Sequence, residues 1–153
     1  MDTSWWGEIS DKDKFEKTKH KIPENYHQAL KNYAENWDMC FHPFDGTKNF
    51  CDYIKNKGYG IYVLSNASDR FHKYFPRFLP LDYFNGVVVS SDIHMIKPYE
   101  GIYKYILDKY KLNPEECLFI DDRKENIEGA EKFKIKVELF KNNFKEIIKK
   151  YNL

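Results

Sequence analysis

The sequence predicts an α/β fold, with helices packed on both faces of a parallel sheet in three α/β/α layers. Two features support this prediction: short continuous apolar runs recur after residue 60, and each is followed by a helix-length segment. Continuous apolar runs are typical of strands that are buried on both faces. Strands that alternate with helices predict right-handed βαβ units and parallel pairing. The predicted strands cover residues 61–64, 86–89, 118–120 and 137–140.

The part of the chain before the first strand is predicted to be helical. Tyr26, Leu30, Tyr33 and Trp37 recur at spacings of three and four residues, which predicts that they share one helix face. Further helices are expected at residues 48–57, 70–75, 98–110, 127–133 and 144–151. We therefore predict a partial helical cap at residues 1–40 and an α/β core at residues 41–153.

The composition excludes several classes of protein. The formal net charge of the 153 residues is +1, which gives no electrostatic basis for binding nucleic acid or an acidic membrane surface. No apolar run is long enough to span a bilayer. Cys40, Cys51 and Cys117 lie far apart and form no CxxC pair, so we expect neither a zinc site nor a disulfide framework. Reduced thiols of this kind predict a cytoplasmic protein.

Polar residues stand where the predicted strands end or the next helix begins. Ser65 and Asn66 follow the first strand, Lys97 precedes a helix, and Asp121 and Asp122 follow the third strand. Ligands of open α/β sheets bind at the carboxyl ends of the strands. A hydroxyl with the backbone N–H groups after it can hold a phosphate oxygen, and two adjacent carboxylates predict a hard cation, Mg²⁺ above all. Taken one at a time, these residues are explained as a turn at Ser65 and Asn66, a solvated lysine at Lys97 and a helix cap at Asp121 and Asp122. Together, a hydroxyl donor, a cation and two metal-binding acids on one edge of the sheet predict a phosphate-binding site.

The order of these motifs resembles motifs II, III and IV of the haloacid dehalogenase superfamily. The matching stretches are residues 62–66 (YVLSN), 96–98 (IKP) and 119–130, which contain FIDD, NI and GA. The resemblance is to members with a helical cap inserted after the first motif (subfamily I), among them sugar-phosphate phosphatases, and residues 7–10 (GEIS) resemble part of such a cap. It implies a Rossmann-like core and hydrolysis of a small phosphorylated substrate.

The resemblance also implies roles for individual residues. Ser65 would bind the phosphoryl group, and Asn66 would contribute a backbone N–H. Lys97 would neutralise the charge that develops in the transition state, which is the role of a fixed cation. Asp122, together with Asp121, would hold Mg²⁺.

Two departures from the family pattern bear on activity. Asn126 stands where many members carry a second acid, so we expect hydrogen bonding or a water-mediated contact there. The first motif, an apolar strand ending in Asp-x-Asp that supplies the nucleophile, is not found. Residues 11–13 have its spacing without a strand before them, and residues 43–47 carry Pro43 in the place of the nucleophile and read as a turn.

The loss of that strand would leave a gap between the strands that carry Ser65 and Asp121. The flanking strands could pair directly, a homodimer could share strand edges, or the chain could be a fragment or a misassigned start of a longer enzyme. We favour the third interpretation, because the other site residues are in place. The predicted function is a Mg²⁺-dependent phosphatase that is inactive without its nucleophile. The alternative is a non-catalytic module that binds a phosphorylated ligand or a protein partner.

Overall fold

The computed structural model describes residues 16–153. Its strands and helices alternate, as an α/β fold requires. In chain order they are α1 His27–Asn36, α2 Thr47–Asn56, β1 Tyr62–Ser65, α3 Phe71–Tyr74, β2 Gly86–Val89, α4 Ser90–Ile93, α5 Glu100–Tyr110, β3 Leu118–Asp121, α6 Lys124–Glu131, β4 Lys136–Leu139 and α7 Phe144–Tyr151. Short 3-10 turns cover Lys19–Lys21, Glu24–Tyr26, Trp37–Cys40, Phe75–Arg77, Leu81–Tyr83 and Pro114–Glu116.

The strands form two separate parallel pairs. In one pair β1 lies beside β2, with Tyr62 opposite Gly86, and in the other β3 lies beside β4, with Leu118 opposite Lys136. Parallel pairing is as predicted. Within residues 16–153, however, no strand ladder joins β1 to β3. The expectation that the flanking strands could pair directly is therefore wrong for this structure.

Helix α5 packs against both strand pairs and forms the main core. Ile102 and Tyr103 on this helix are fully buried. They belong to one apolar cluster with Val88 of β2, and with Ala130 of α6 and Ile135 beside β4. Burial of this size stabilises by roughly 1.5–3 kcal/mol for each large apolar side chain. A single helix therefore fixes the position of one strand pair relative to the other.

The predicted apolar face of the N-terminal helical part is only partly buried. Tyr26 and Tyr33 are 56% and 67% exposed, so these two members of the predicted helix face lie mostly in solvent. Trp37 does contact the core, since its ring lies 6.0 Å from the ring of Tyr74 in an edge-to-face arrangement. The boundary between cap and core at residue 40 remains a prediction.

A buried carboxylate connects this helical part to the core. The side chain of Asp38 is 3% exposed and forms ion pairs with Arg70 and Arg77, the latter at 3.0 Å. Arg70 also donates to the carbonyl oxygens of Ala34 and Glu35. Burial by itself raises the pKa of Asp38, but the charges of Arg70 and Arg77, together with hydrogen bonds to the carboxylate, hold that pKa below its usual range.

Two local details refine the sequence predictions. The helix predicted from residue 98 begins at Glu100, because the backbone of Tyr99 is extended, with ψ of 146°. Residues 44–47 form a turn into α2, as predicted. Gly46 has φ of +80°, and both the backbone N–H and the hydroxyl of Thr47 donate to the carbonyl of Phe44, at 3.0 and 2.7 Å.

The predictions for residues 7–10 and 11–13 lie outside the described residues. In the part of the chain that the structure describes, no helix has the length and apolar character needed to cross a membrane.

Candidate functional site

Lys97 connects the two strand pairs at their carboxyl ends. Its ammonium nitrogen donates to the carbonyl oxygen of Leu64 in β1 and to Oδ2 of Asp121 at the end of β3, both at 2.7 Å. The two side chains are 8% and 7% exposed. Burying a charge is costly unless it is paired, so this ion pair depends on both partners. The predicted lysine and the predicted acid thus lie at one edge of the fold.

The side chain of Asn66 holds the backbone of Lys97. Its Nδ2 donates to the carbonyl oxygen of Lys97, and its Oδ1 accepts from the N–H of Lys97, both at 2.8 Å. The loop after β1 thereby fixes the loop before α5. From the sequence we expected only a backbone contribution from Asn66, and the side chain instead positions the lysine.

Both carboxylate oxygens of Asp121 accept hydrogen bonds. While Oδ2 pairs with Lys97, Oδ1 accepts from the backbone N–H of Arg123 and from Nδ2 of Asn126, both at 2.9 Å. Asn126 is 3% exposed. Its hydrogen bond to the acid agrees with the expectation that an amide at this position would act by hydrogen bonding.

The buried side chain of Tyr103 contacts the backbone of Asn126. The hydroxyl of Tyr103 donates to the carbonyl oxygen of Asn126 at 2.7 Å. Burial raises the pKa of Tyr103, and the negative charge of Asp121 raises it further. Helix α6 approaches this region closely because residue 129 is glycine. A Cβ atom on Gly129 would lie 2.6 Å from the carbonyl oxygen of Pro98 and 2.9 Å from the ring of Tyr103.

The other two predicted residues have free polar groups. Ser65 ends β1 between two residues that contact Lys97, and within residues 16–153 its hydroxyl has no hydrogen-bond partner. Asp122 is exposed and makes no ion pair with a described residue. Lys97 therefore contacts both Asn66 and Asp121, Ser65 directly precedes Asn66 in the chain, and Asp122 is open to solvent.

The described residues include no cluster of three or more histidine, cysteine or acidic side chains that could hold a metal ion. Mg²⁺ is commonly bound through one or two carboxylates, with waters and substrate phosphates as the remaining ligands. Asp122 offers one free carboxylate, and Asp121 lies next to it in the chain. Their oxygen donors fit that mode of binding, without forming a complete site by themselves.

Ser90 is a structural residue that the sequence did not single out. Its hydroxyl accepts from the N–H of Ala67 and donates to the carbonyl oxygen of Ala67, both at 3.0 Å, and its side chain is buried. It thus fixes the loop that carries Ser65 and Asn66. The two partners are 23 positions apart, so no local pattern could have indicated the contact.

Comparison with known proteins identifies the family of this chain. The sequence model for haloacid dehalogenase-like hydrolases matches residues 7–140. This chain belongs to that family. It is 26% identical to a sesquiterpene phosphatase of Aspergillus oryzae over 93 residues, which make up 60% of the chain and 47% of that protein. It is 28% identical to an (S)-2-haloacid dehalogenase of Burkholderia cepacia over 81 residues, or 52% of the chain and 35% of that protein. The family member described here thus spans less than half the length of these two relatives.

Solved structures confirm the family fold. A phosphatase of the family from Thermococcus onnurineus superposes with a TM-score of 0.72 at 16% identity, covering 97% of this chain and 72% of that one. An enzyme of the family from Bacteroides thetaiotaomicron, an Asp-to-Ala variant in complex with magnesium and inorganic phosphate, superposes with a TM-score of 0.70 at 22% identity. It covers 92% of this chain and 76% of that one.

Proposed function

We propose that this hydrolase-family chain is the phosphate-binding part of a Mg²⁺-dependent phosphatase that acts on a small phosphorylated metabolite, such as a sugar phosphate. The observation that carries the proposal is the bonding of Lys97. An ammonium group has three N–H donors, and the contacts with Leu64 and Asp121 use two of them. The third remains for a phosphoryl oxygen, and Ser65, the residue after Leu64, has a hydroxyl without a hydrogen-bond partner among residues 16–153.

We propose the following roles, which the contacts of these residues support. Ser65 donates its hydroxyl to the phosphoryl group, and Lys97 balances the negative charge that grows on the phosphoryl oxygens during transfer. Asn66 keeps the lysine in place through its two hydrogen bonds to the backbone. Asp122, with Asp121, would hold Mg²⁺, whose charge would offset that of the phosphoryl oxygens.

The same proposal includes a lack of turnover by this chain alone. Phosphoryl transfer to the enzyme needs a free carboxylate that can attack the phosphorus. The motif that supplies this carboxylate in the family, an apolar strand ending in Asp-x-Asp, is not found in the sequence, and Asp121 and Asp122 are assigned to the metal. We therefore expect this chain to bind phosphate without hydrolysing a phosphate ester. The alternative function, a non-catalytic phosphate-binding module, predicts the same behaviour.

Binding is tested by thermal unfolding of the full chain with inorganic phosphate and MgCl₂. At about 100 times the Kd a ligand stabilises by about 2.7 kcal/mol, which corresponds to roughly 5–10 °C for a chain of this size. Lys97→Met should abolish the phosphate shift, and Asp122→Asn should abolish only the increment added by Mg²⁺. The matched control is Asp82→Asn, an exposed acid that precedes β2 at the other end of the strands. Equal shifts in all four proteins would refute the proposed site.

Turnover is tested with p-nitrophenyl phosphate and Mg²⁺, and in parallel with a 2-chloroalkanoic acid without metal. We expect no product in either assay. Phosphate release that Asp122→Asn abolishes would contradict the predicted inactivity while supporting the site. Metal-independent chloride release would contradict the assignment to a phosphatase and favour the activity named for the relative in Burkholderia cepacia.

A further inference from the structure

Helix α1 buries little of its own surface against the core. None of its ten residues, His27–Asn36, is buried. In proteins the packing of an apolar face is what usually holds a helix in place, so α1 depends on directed contacts instead. The carbonyl groups in the last turn of a helix have no partner within the helix, and they are available for such contacts.

The guanidinium group of Arg70 supplies contacts of this kind. Its Nη1 donates to the carbonyl oxygen of Ala34 at 2.5 Å, and its Nη2 donates to that of Glu35 at 2.6 Å. Nη2 also pairs with Oδ1 of Asp38, and Cζ lies 5.4 Å from the centre of the Trp37 ring. A cation is favourable at the carboxyl end of a helix, and the planar fork of arginine can reach several acceptors at once. One side chain thereby binds both the end of α1 and the turn that follows it.

Arg70 is also the last residue of the loop between β1 and α3, which carries part of the proposed phosphate site. Near the start of this loop, the side chain of Asn66 is bonded to the backbone of Lys97. The next residue, Ala67, is bonded through its N–H and its carbonyl oxygen to the hydroxyl of Ser90. Only two residues separate Ala67 from Arg70. A displacement of Arg70 therefore acts on Asn66 across a very short piece of chain.

Arg77 provides a comparison, because it shares the buried carboxylate without binding α1. Its Nη2 donates to Oδ2 and to the carbonyl oxygen of Asp38, at 3.0 and 2.8 Å. It lies in the 3-10 turn after α3, outside the loop that carries Asn66. Substitution of Arg77 thus disturbs the charge balance around Asp38, whereas substitution of Arg70 also removes the bonds to the end of α1.

We propose that Arg70 is a positioning residue that couples the attachment of α1 to the binding of phosphate at Ser65 and Lys97. The inference rests on the proposed function, because it concerns the response of the same loop to phosphate. Phosphate stabilises the loop conformation in which Arg70 reaches α1, and the bonds to α1 stabilise the loop conformation that binds phosphate. Coupling of this kind is reciprocal, so each event strengthens the other by the same factor.

The first experiment needs no substitution. Hydrogen–deuterium exchange of the full chain is measured by mass spectrometry with MgCl₂, in the presence and absence of inorganic phosphate at about 100 times its Kd. Exchange in α1 reports its detachment from the core, because local opening exposes its amides. We expect phosphate to slow exchange in α1 at least fivefold, which is the lower end of typical coupling between sites. An unchanged exchange rate in α1, with phosphate bound, would overturn the proposal.

The second experiment compares variants after circular dichroism has shown that they keep their helical content. Arg70→Met should abolish the phosphate response of α1 and raise the Kd for phosphate at least fivefold. Arg70→Lys keeps the charge but cannot reach Ala34, Glu35 and Asp38 together, so it should also lose the response. The matched control, Arg77→Met, should keep the response and leave the Kd within twofold. A purely structural role of Arg70 would speed exchange in α1 without removing its dependence on phosphate.

The outcomes separate this inference from the proposed function. If the unsubstituted chain does not bind phosphate, the proposed function and the coupling both fail. If it binds phosphate and Arg70→Met binds it equally well, the coupling alone is wrong. Equal effects of Arg70→Met and Arg77→Met on the Kd would also overturn the coupling, because they would assign the effect to the charge of Asp38 rather than to the attachment of α1.

Discussion

The substitution Lys97→Met is expected to destabilise the folded chain by about 3 kcal/mol. Met fills much of the same space but leaves the carboxylate of Asp121 without its cation, at a position where the side chain is 7% exposed. Breaking a buried ion pair from one side costs about 3–5 kcal/mol. Because Asp121 keeps the two N–H donors from Arg123 and Asn126, the lower end of that range applies.

Urea-induced unfolding at pH 7, followed by tryptophan fluorescence, measures this free energy. The control is Lys104→Met, which removes the lysine from the pair with Asp108. Those side chains are 70% and 65% exposed, so the expected cost is at most about 1 kcal/mol. Adding Asp121→Asn to Lys97→Met removes the stranded charge and should recover part of the loss. The two changes together should therefore cost less than the sum of the separate changes.

Two results would refute this reasoning. If Lys97→Met costs no more than Lys104→Met, the ion pair at the strand ends does not stabilise the fold. If Asp121→Asn adds its full separate cost in the background of Lys97→Met, the two groups do not interact, and the geometry assigned to the phosphate site is wrong.

Three further substitutions test other contacts. Gly129→Ala should lower the free energy of unfolding in urea by about 1–3 kcal/mol, because the new Cβ overlaps the backbone carbonyl of Pro98. The control is Gly101→Ala, whose Cβ meets only the flexible side chain of Met95, and it should leave that free energy unchanged or raise it. Asn66→Ala removes two hydrogen bonds of about 0.5–1.5 kcal/mol each and should weaken phosphate binding, whereas unchanged binding would exclude its positioning role. Because the pKa of Asp38 is lowered in the folded state, its ionised carboxylate stabilises the fold above about pH 4, and this stability is lost as the pH falls through the folded-state pKa. Asp38→Asn should therefore lower the urea midpoint at pH 7 and make that midpoint fall less steeply with pH below pH 4. An equally steep fall in the variant and the original chain would contradict this explanation.

The elements predicted best from sequence are those whose signal is local. The bounds of β2 and of the last helix, Phe144–Tyr151, agree with the prediction to the residue. An apolar run after a glycine and a strongly amphipathic segment are complete signals in themselves. Strands β1 and β3 carry the same apolar signal, yet they are only half-buried. Burial depends on what lies beside a strand, and the apolar run itself does not contain that information.

The candidate site shows the same division between local and long-range information. The positions of Lys97 and Asp121 at one edge follow from the rule that parallel strands end on the same side. Two sets of contacts instead depend on the exact path of three loops: the hydrogen bond from Asn126 to Asp121, and the hydrogen bonds between Asn66 and the backbone of Lys97. Spacing along the chain does not determine those paths. The exposure of Tyr26 has a related explanation, since helical periodicity identifies a shared face without indicating whether another element covers it.

The pairing of β1 and β3 along one edge each has a consequence for hydrogen–deuterium exchange, because alternate residues of a parallel strand direct their N–H groups to opposite edges. Val63 and Phe119 direct their N–H groups toward the partner strands, so these amide protons should exchange only when the strand pairs open. The N–H groups of Tyr62, Leu118 and Ile120 point away from the partner strands and should exchange faster. Adjacent residues of one short strand would then differ in protection.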